Sequence, residues 1–332
     1  MNRILLTLAL AFPLTVAAMG IPKPKPSAPP FAGPLWLAPN VATADLRSLF
    51  TEPQLWPAAR ARVSALQLYG QMFWEAEQCP TCGPNTFSAL VASGAFERLR
   101  EWNIALAIEF GAVKPGDCEA EGNEQSMRAL LQRVAGVGSR VRYLSLDEPF
   151  TAGYHMCGGL KAEAIADSTA RFMRRTSENA RALGHEGFEI GLIEAYPSFS
   201  ADELNWFLQL LYERGTKPSH VHVDFDFWAA RNKGIGQAQI AADLKKIQAK
   251  ARELGIPMGV LYWGHDGDNA SAFAGDLLEL VSLVNKTLGA PDRAVVQSWS
   301  QTKSGQNLNP PVLTETNPVS LTGLLLKTAN GF

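Results

Sequence analysis

Carboxylates stand at the ends of four successive apolar runs: Glu109 after Ile104 to Ile108, Asp147 and Glu148 after Val141 to Leu146, Glu194 after Glu189 to Ile193, and Asp224 with Asp226 after Val221. Acids gathered in one concavity repel each other, which drives their pKa values apart and leaves one carboxyl protonated beside one that is ionised. That pairing suits general acid/base chemistry or a bound cation. Other apolar runs end in amides and aromatics: Gln67 with Tyr69, Tyr262 with Trp263, and Gln297 with Trp299, while His265 and Asp266 follow the Tyr262 run. Taken singly, any of these could be a helix cap or a loop-facing charge. As a set, they form a ring of groups that bind and protonate.

The elements that must position this ring are βα units. Short β-rich runs recur at Ala65 to Tyr69, Ile104 to Glu109, Val141 to Asp147, Glu189 to Glu194, Val221 to Asp226, Met258 to Tyr262 and Ala294 to Ser298. Helical patterns separate them, most clearly Ala162 to Leu183, Ala201 to Arg214, Ala238 to Leu254 and Ala272 to Leu288. Ser200 with Glu203 forms a capping-box pattern, and Gly215, Gly255 and Gly289 stand where helices end. Repeated βα units without a dinucleotide-type glycine-rich first turn predict a closed parallel barrel. Leu35 to Ala38 supplies an eighth strand, followed by a helical stretch from Asp45 to Val63. The expected class is α/β, a (β/α)8 TIM-type barrel in a single domain over 31–332. Leu106, Ile108, Leu144, Leu146, Val221 and Val223 should face the helices; Ala105, Ala107, Glu109, Ser145, Asp147, His222 and Asp224 should face inward.

Before the barrel, Arg3, an apolar run from Ile4 to Phe12 and small residues to Ala18 read as a signal peptide over 1–18, and prolines between Pro22 and Pro30 read as a tether over 19–30. The expected location is therefore secreted or periplasmic. The leader run is too short to span a bilayer, so no membrane anchor is expected. Formal net charge is only −2, with acids and bases mixed along the helices, which gives no footprint for nucleic acid. An oxidising compartment favours disulfides: Cys79 and Cys82 could close a small loop on each other and leave Cys118 and Cys157 to join two other loops, although spacing does not fix the pairing; a four-cysteine zinc site competes, but only Cys79 and Cys82 have ligand spacing.

The stretch Leu144-Ser145-Leu146-Asp147-Glu148-Pro149 resembles the Asn-Glu-Pro strand-four signature of the clan-A (β/α)8 glycoside hydrolases, and Gln297-Ser298-Trp299 resembles their strand-eight tryptophan segment. The chain is also similar to exported bacterial proteins with Asp-Glu-Pro, Ile-Gly-x-Ile-Glu and Gln-Ser-Trp segments, matched by Asp147 to Pro149, Ile190 to Glu194 and Gln297 to Trp299. The clan resemblance implies a carbohydrate substrate, no cofactor, Glu148 as acid/base and Trp299 under a sugar. Two positions depart from it: Asp147 replaces the asparagine, and Tyr262-Trp263-Gly264-His265-Asp266 holds no glutamate where the clan's nucleophile stands. The partner carboxylate is then expected from Glu194 first, Asp224 second and Asp266 third. Gln67, Tyr69, Glu109, Asp147, Asp226, Tyr262, Trp263, His265, Asp266, Gln297 and Trp299 are expected to bind substrate. Two alternatives stand beside this reading: a divalent-metal isomerase or hydrolase using Glu148, Glu194, His222 and Asp224, and a non-catalytic glycan-binding barrel. Schiff-base and phosphosugar chemistry are disfavoured, because no lysine ends a strand and no glycine-rich phosphate loop follows the last strands.

Overall fold

Alternating aliphatic and small or polar residues curl the strands into a closed barrel with two separate cores. A computed structural model describes residues 31–78, 84–264, 269–299 and 310–331. Its strands are β1 (Leu35–Ala38), β2 (Val63–Tyr69), β3 (Ala105–Phe110), β4 (Val141–Asp147), β5 (Glu189–Tyr196), β6 (Val221–Phe225), β7 (Met258–Tyr262) and β8 (Arg293–Gln297). Each pairs in parallel with the next, and β8 closes on β1 with Ala38 opposite Gln297. The expected barrel, including its first strand, is therefore present.

The helices run in chain order: α1 (Ser48–Thr51), α2 (Pro57–Arg60), α3 (Phe87–Ala92), α4 (Ala95–Glu101), α5 (Glu121–Gly136), α6 (Pro149–Met156), α7 (Ala162–Ala182), α8 (Ala201–Glu213), α9 (Phe227–Asn232), α10 (Gln237–Glu253), α11 (Ala270–Leu288) and α12 (Leu321–Asn330). Leu106, Ile108, Leu144, Leu146, Val221 and Val223 join the large core between strands and helices. Trp36, Ala38, Ala65, Ala107, Ile193, Leu261 and Val295 form the small core inside the barrel. The inward and outward faces follow the alternation read from the sequence.

Between β1 and β2 the structure corrects the expectation of one helical stretch from Asp45 to Val63. Pro53 and Pro57 divide it into α1, a 3-10 turn at Pro53–Leu55 and α2, and Val63 already begins β2. Proline lacks the amide that a continuing helix would need, so each one starts a new turn. Helix starts elsewhere are chemically marked: Ser200 and Glu203 close their capping box on α8, and Asn269 caps α11.

Candidate active site in the barrel mouth

The site is built from the C-terminal ends of the strands. Registers bring Tyr69 beside Glu109 and Glu109 beside Ser145, and they carry Asp147 and Asp224 to the same rim. Glu148 follows β4 directly, with φ 50 and ψ 48, a left-handed backbone that non-glycine residues seldom adopt. The Glu148 amide donates to the Ile193 carbonyl at 2.9 Å, and Pro149 starts α6 immediately afterwards. Strand end, turn and helix start thus fix where this one side chain leaves the backbone.

No hydrogen bond or ion pair engages the Glu148 carboxyl among the described residues. Burial pushes its pKa up to about 7, with repulsion from Asp147 adding to the rise and Lys114 opposing it. Asp224 is also raised, by burial first and then by the Glu148 charge; against this, the Trp263 indole N–H donates to Asp224 Oδ1 at 2.5 Å and favours the ionised form. Two such carboxyls titrate as a unit. Glu109 is raised by burial and by Asp147 and Asp224.

A hydrogen-bonded network floors the mouth. Gln67 Nε2 donates to Glu109 Oε2 at 2.8 Å, while Gln297 Nε2 lies 2.6 Å from the Tyr69 hydroxyl and 3.1 Å from Glu109 Oε2. Below it, Ser145 Oγ links Gln67 Oε1 at 3.3 Å to His220 Nε2 at 3.1 Å, and Ser219 meets the other ring nitrogen at 3.0 Å. Trp299 sits exposed on the rim with its ring centre 5.9 Å from that of Tyr69.

Several expected site residues have other positions. Glu194 is fully buried, and its carboxylate accepts from the Phe150 amide at 2.7 Å, the Thr151 amide at 3.2 Å and the Thr151 hydroxyl at 3.0 Å, at the start of α6. It alternates with Ile193, which faces the barrel interior, so it cannot also point there. Burial raises its pKa to about 8 while the two amides and the hydroxyl work the other way. Glu194, expected first as partner of Glu148, thus has its carboxylate turned to the start of α6, while Asp224, expected second, stands at the mouth. Asp226 caps α9 through the Ala229 amide at 2.7 Å. Tyr262 is buried in the outer core, whereas Trp263 reaches the mouth through Asp224. His265, Asp266, Cys79 and Cys82 lie outside the described residues, as do the leader and tether.

The metal alternative does not assemble. Glu194 serves α6, and His222 packs inside the barrel with its ring centre 5.0 Å from that of Trp36. Among the described residues no group of three or more His, Cys, Asp and Glu side chains could hold a metal ion.

Sequence reasoning missed Lys114. It lies in the loop after β3, not at a strand end, and its Nζ pairs with Asp147 Oδ2 at 2.7 Å. Burial works against its charge, but Asp147 outweighs that and raises the lysine pKa. The loop is tied down by a disulfide from Cys118 to Cys157, which follows α6. This is the pairing expected if Cys79 and Cys82 close on each other and leave Cys118 and Cys157 to join two other loops.

No protein-family profile matches the chain, and no curated protein matches it in sequence. Solved structures do resemble it in fold. A trimodular GH5_4 subfamily endoglucanase aligns with a TM-score of 0.56 and 14% identity over 90% of this chain and 60% of its own. A glucosidase from Croceicoccus marinus aligns with a TM-score of 0.53 and 11% identity, covering 91% of this chain and 68% of that one. A β-glucuronidase from Faecalibacterium prausnitzii gives 0.53 and 12%, with 92% and 50% covered. The chain thus shares a barrel architecture with these glycoside hydrolases and spans about half to two thirds of their lengths.

Proposed function

We propose that the protein is an exported glycoside hydrolase in which Glu148 is the general acid and Asp224 the ionised partner. The observation that carries this reading is the arrangement of the pair: a Glu148 carboxyl at the end of β4 that no hydrogen bond or ion pair engages among the described residues, and at the end of β6 an Asp224 carboxyl that is raised by burial and by the Glu148 charge but held by the Trp263 indole N–H, which favours its ionised form. In the reaction Glu148 gives its proton to the glycosidic oxygen as the bond to the anomeric carbon breaks. Asp224 supplies the negative charge opposite the oxocarbenium-like centre: it either draws a proton from the water that attacks, or attacks itself, and the glycosyl ester so formed is then cleaved by a water that the ionised Glu148 deprotonates, which restores both carboxyls. The network of Gln67, Glu109 and Gln297 offers hydroxyl partners, and Trp299 an apolar face for a sugar ring.

Glu194 acts through Glu148. By capping the first amides of α6 it fixes the helix that begins one residue after the acid, which makes it a positioning residue. The Cys118–Cys157 disulfide supports export, since such bonds persist in oxidising compartments. No described helix is long and apolar enough to cross a membrane. The barrel architecture shared with glucosidase and endoglucanase structures supports a carbohydrate substrate.

The test is hydrolysis of cellulose, xylan, β-1,3-glucan and mannan oligomers, read as new reducing ends. The expected result is release from at least one of them, with proton NMR of the first product giving the anomer and hence the role of Asp224. Failure on every oligomer, with each also failing to bind, would reject the reading.

A further inference from the structure

A cleft of about 280 Å³ opens between the loops after β2 and β3, continuous with the mouth at Glu109 and Asp147. Tyr69, Gln71, Trp74, Lys114 and Asn123 line its walls. Its size lies just below the range of ligand pockets, which run from about 300 to 1,000 Å³, and so suits an occupant as small as a single sugar ring.

The cleft is a built feature. Trp74 is pinned by Arg133 of α5, whose guanidinium carbon stands 4.9 Å from the ring centre and which also pairs with Glu75 at 3.8 Å. Ring rotation is thereby limited, and an indole fixed in this way presents a preorganised apolar surface. A Cβ at Gly111 would come within 2.5 Å of Lys114 Cγ, so the glycine lets the lysine lie across the loop to Asp147. A Cβ at Gly70 would come within 2.7 Å of the Phe110 ring. Asn123 Nδ2 donates to the Ala112 carbonyl at 2.8 Å, which orients the amide at the cleft edge.

Charge restricts the ligand. Glu109, Asp147, Glu148 and Asp224 stand at the mouth, while Lys114, the cation among the described cleft residues, is already paired with Asp147. A carboxylated sugar would add a further negative charge to this acidic mouth and find no second cation among the described cleft residues to balance it.

We propose that this cleft is a subsite for one ring of a neutral glycan chain, seated on Trp74 and adjoining the ring cleaved at Glu148. The proposal rests on the glycosidase reading and deepens it, because a ring in the cleft and another at the carboxylate pair make the substrate a chain of at least two rings. Trp74 touches substrate here as a binding residue.

Isothermal titration tests it, using the full chain with Glu148→Gln to prevent turnover and cellohexaose, xylohexaose, laminarihexaose, mannohexaose and hexagalacturonate as probes. At least one neutral hexasaccharide should bind, and adding Trp74→Ala should weaken it tenfold or more while Trp74→Phe holds it within threefold. Asn123→Ala, a smaller change, should weaken the same probe severalfold and serves if the tryptophan variant does not fold. Unchanged affinity in Trp74→Ala, or in Asn123→Ala where that substitute is used, overturns the subsite and leaves the glycosidase reading standing. Preference for hexagalacturonate overturns the neutral class. Absence of binding by every probe overturns both the subsite and the reading beneath it.

Discussion

Glu148 combines a left-handed backbone with a carboxyl that no hydrogen bond or ion pair engages among the described residues. Such backbone costs on the order of 1–3 kcal/mol and persists where neighbours over-determine it, here the Ile193 carbonyl and the start of α6. Because the acid must carry its proton, kcat/KM should fall as pH rises through about 7, and the acidic limb should report loss of the first proton from the Glu148–Asp224 pair. Trp263→Phe removes the indole N–H that favours the ionised aspartate. It should move the acidic limb to higher pH and lower kcat about tenfold, measured as a pH–rate profile. An unmoved acidic limb would remove Trp263 from this role. The sequence marks Glu148, Asp224 and Trp263 as strand-end groups, and it favours Glu194 as partner because that residue ends the expected strand adjacent to Glu148. The two amides and one hydroxyl that claim Glu194 belong to a neighbouring helix start, which sequence spacing alone does not reveal.

The decisive elements are α6 and the loop after β3. Glu194 holds the first amides of α6, and the Cys118–Cys157 disulfide fastens the far end of that segment to the loop carrying Lys114. Glu194→Gln keeps one acceptor oxygen and brings an amide donor against the helix N-terminus. It should cost about 1–3 kcal/mol of stability by denaturant titration and lower kcat more than it raises KM. A loss confined to KM would place Glu194 in substrate binding instead. Breaking the disulfide with Cys118→Ser and Cys157→Ser opens a 39-residue separation and should remove about 2–4 kcal/mol, read as a lower Tm. The strands and the longer helices were legible because their periods and caps lie within short windows, as with Ser200 and Glu203 on α8. The segment from Asp45 to Val63 was misread because its apolar content suited one helix while Pro53 and Pro57 divided it.

Across the whole molecule, burial raises the pKa of Glu109, Glu148, Glu194 and Asp224 above their unfolded values. The folded state therefore binds more protons than the unfolded chain between roughly pH 4.5 and 8, so these groups favour folding at low pH and lose that contribution as pH rises. For Glu148 alone the change is on the order of 3 kcal/mol. Tm should be lower at pH 8 than at pH 5 if these groups dominate, and a Tm that rises over this range would contradict the assignment. The barrel and its inward ring could be read from the sequence because period-two alternation writes both onto each strand. The polar chain from Gln67 through Ser145 to His220 could not, since it joins residues on three strands through side-chain geometry alone. The assignment of acid and partner within this barrel is tested most directly by leaving-group dependence, comparing a glycan that the enzyme cleaves with a 2,4-dinitrophenyl glycoside of the same sugar. A dinitrophenolate departs without a proton, so Glu148→Gln should lose a hundredfold or more in kcat/KM on the glycan and less than tenfold in kcat/KM on the dinitrophenyl substrate, while Asp224→Asn loses a hundredfold or more on both. Equal losses on the two substrates in Glu148→Gln would contradict its role as the acid.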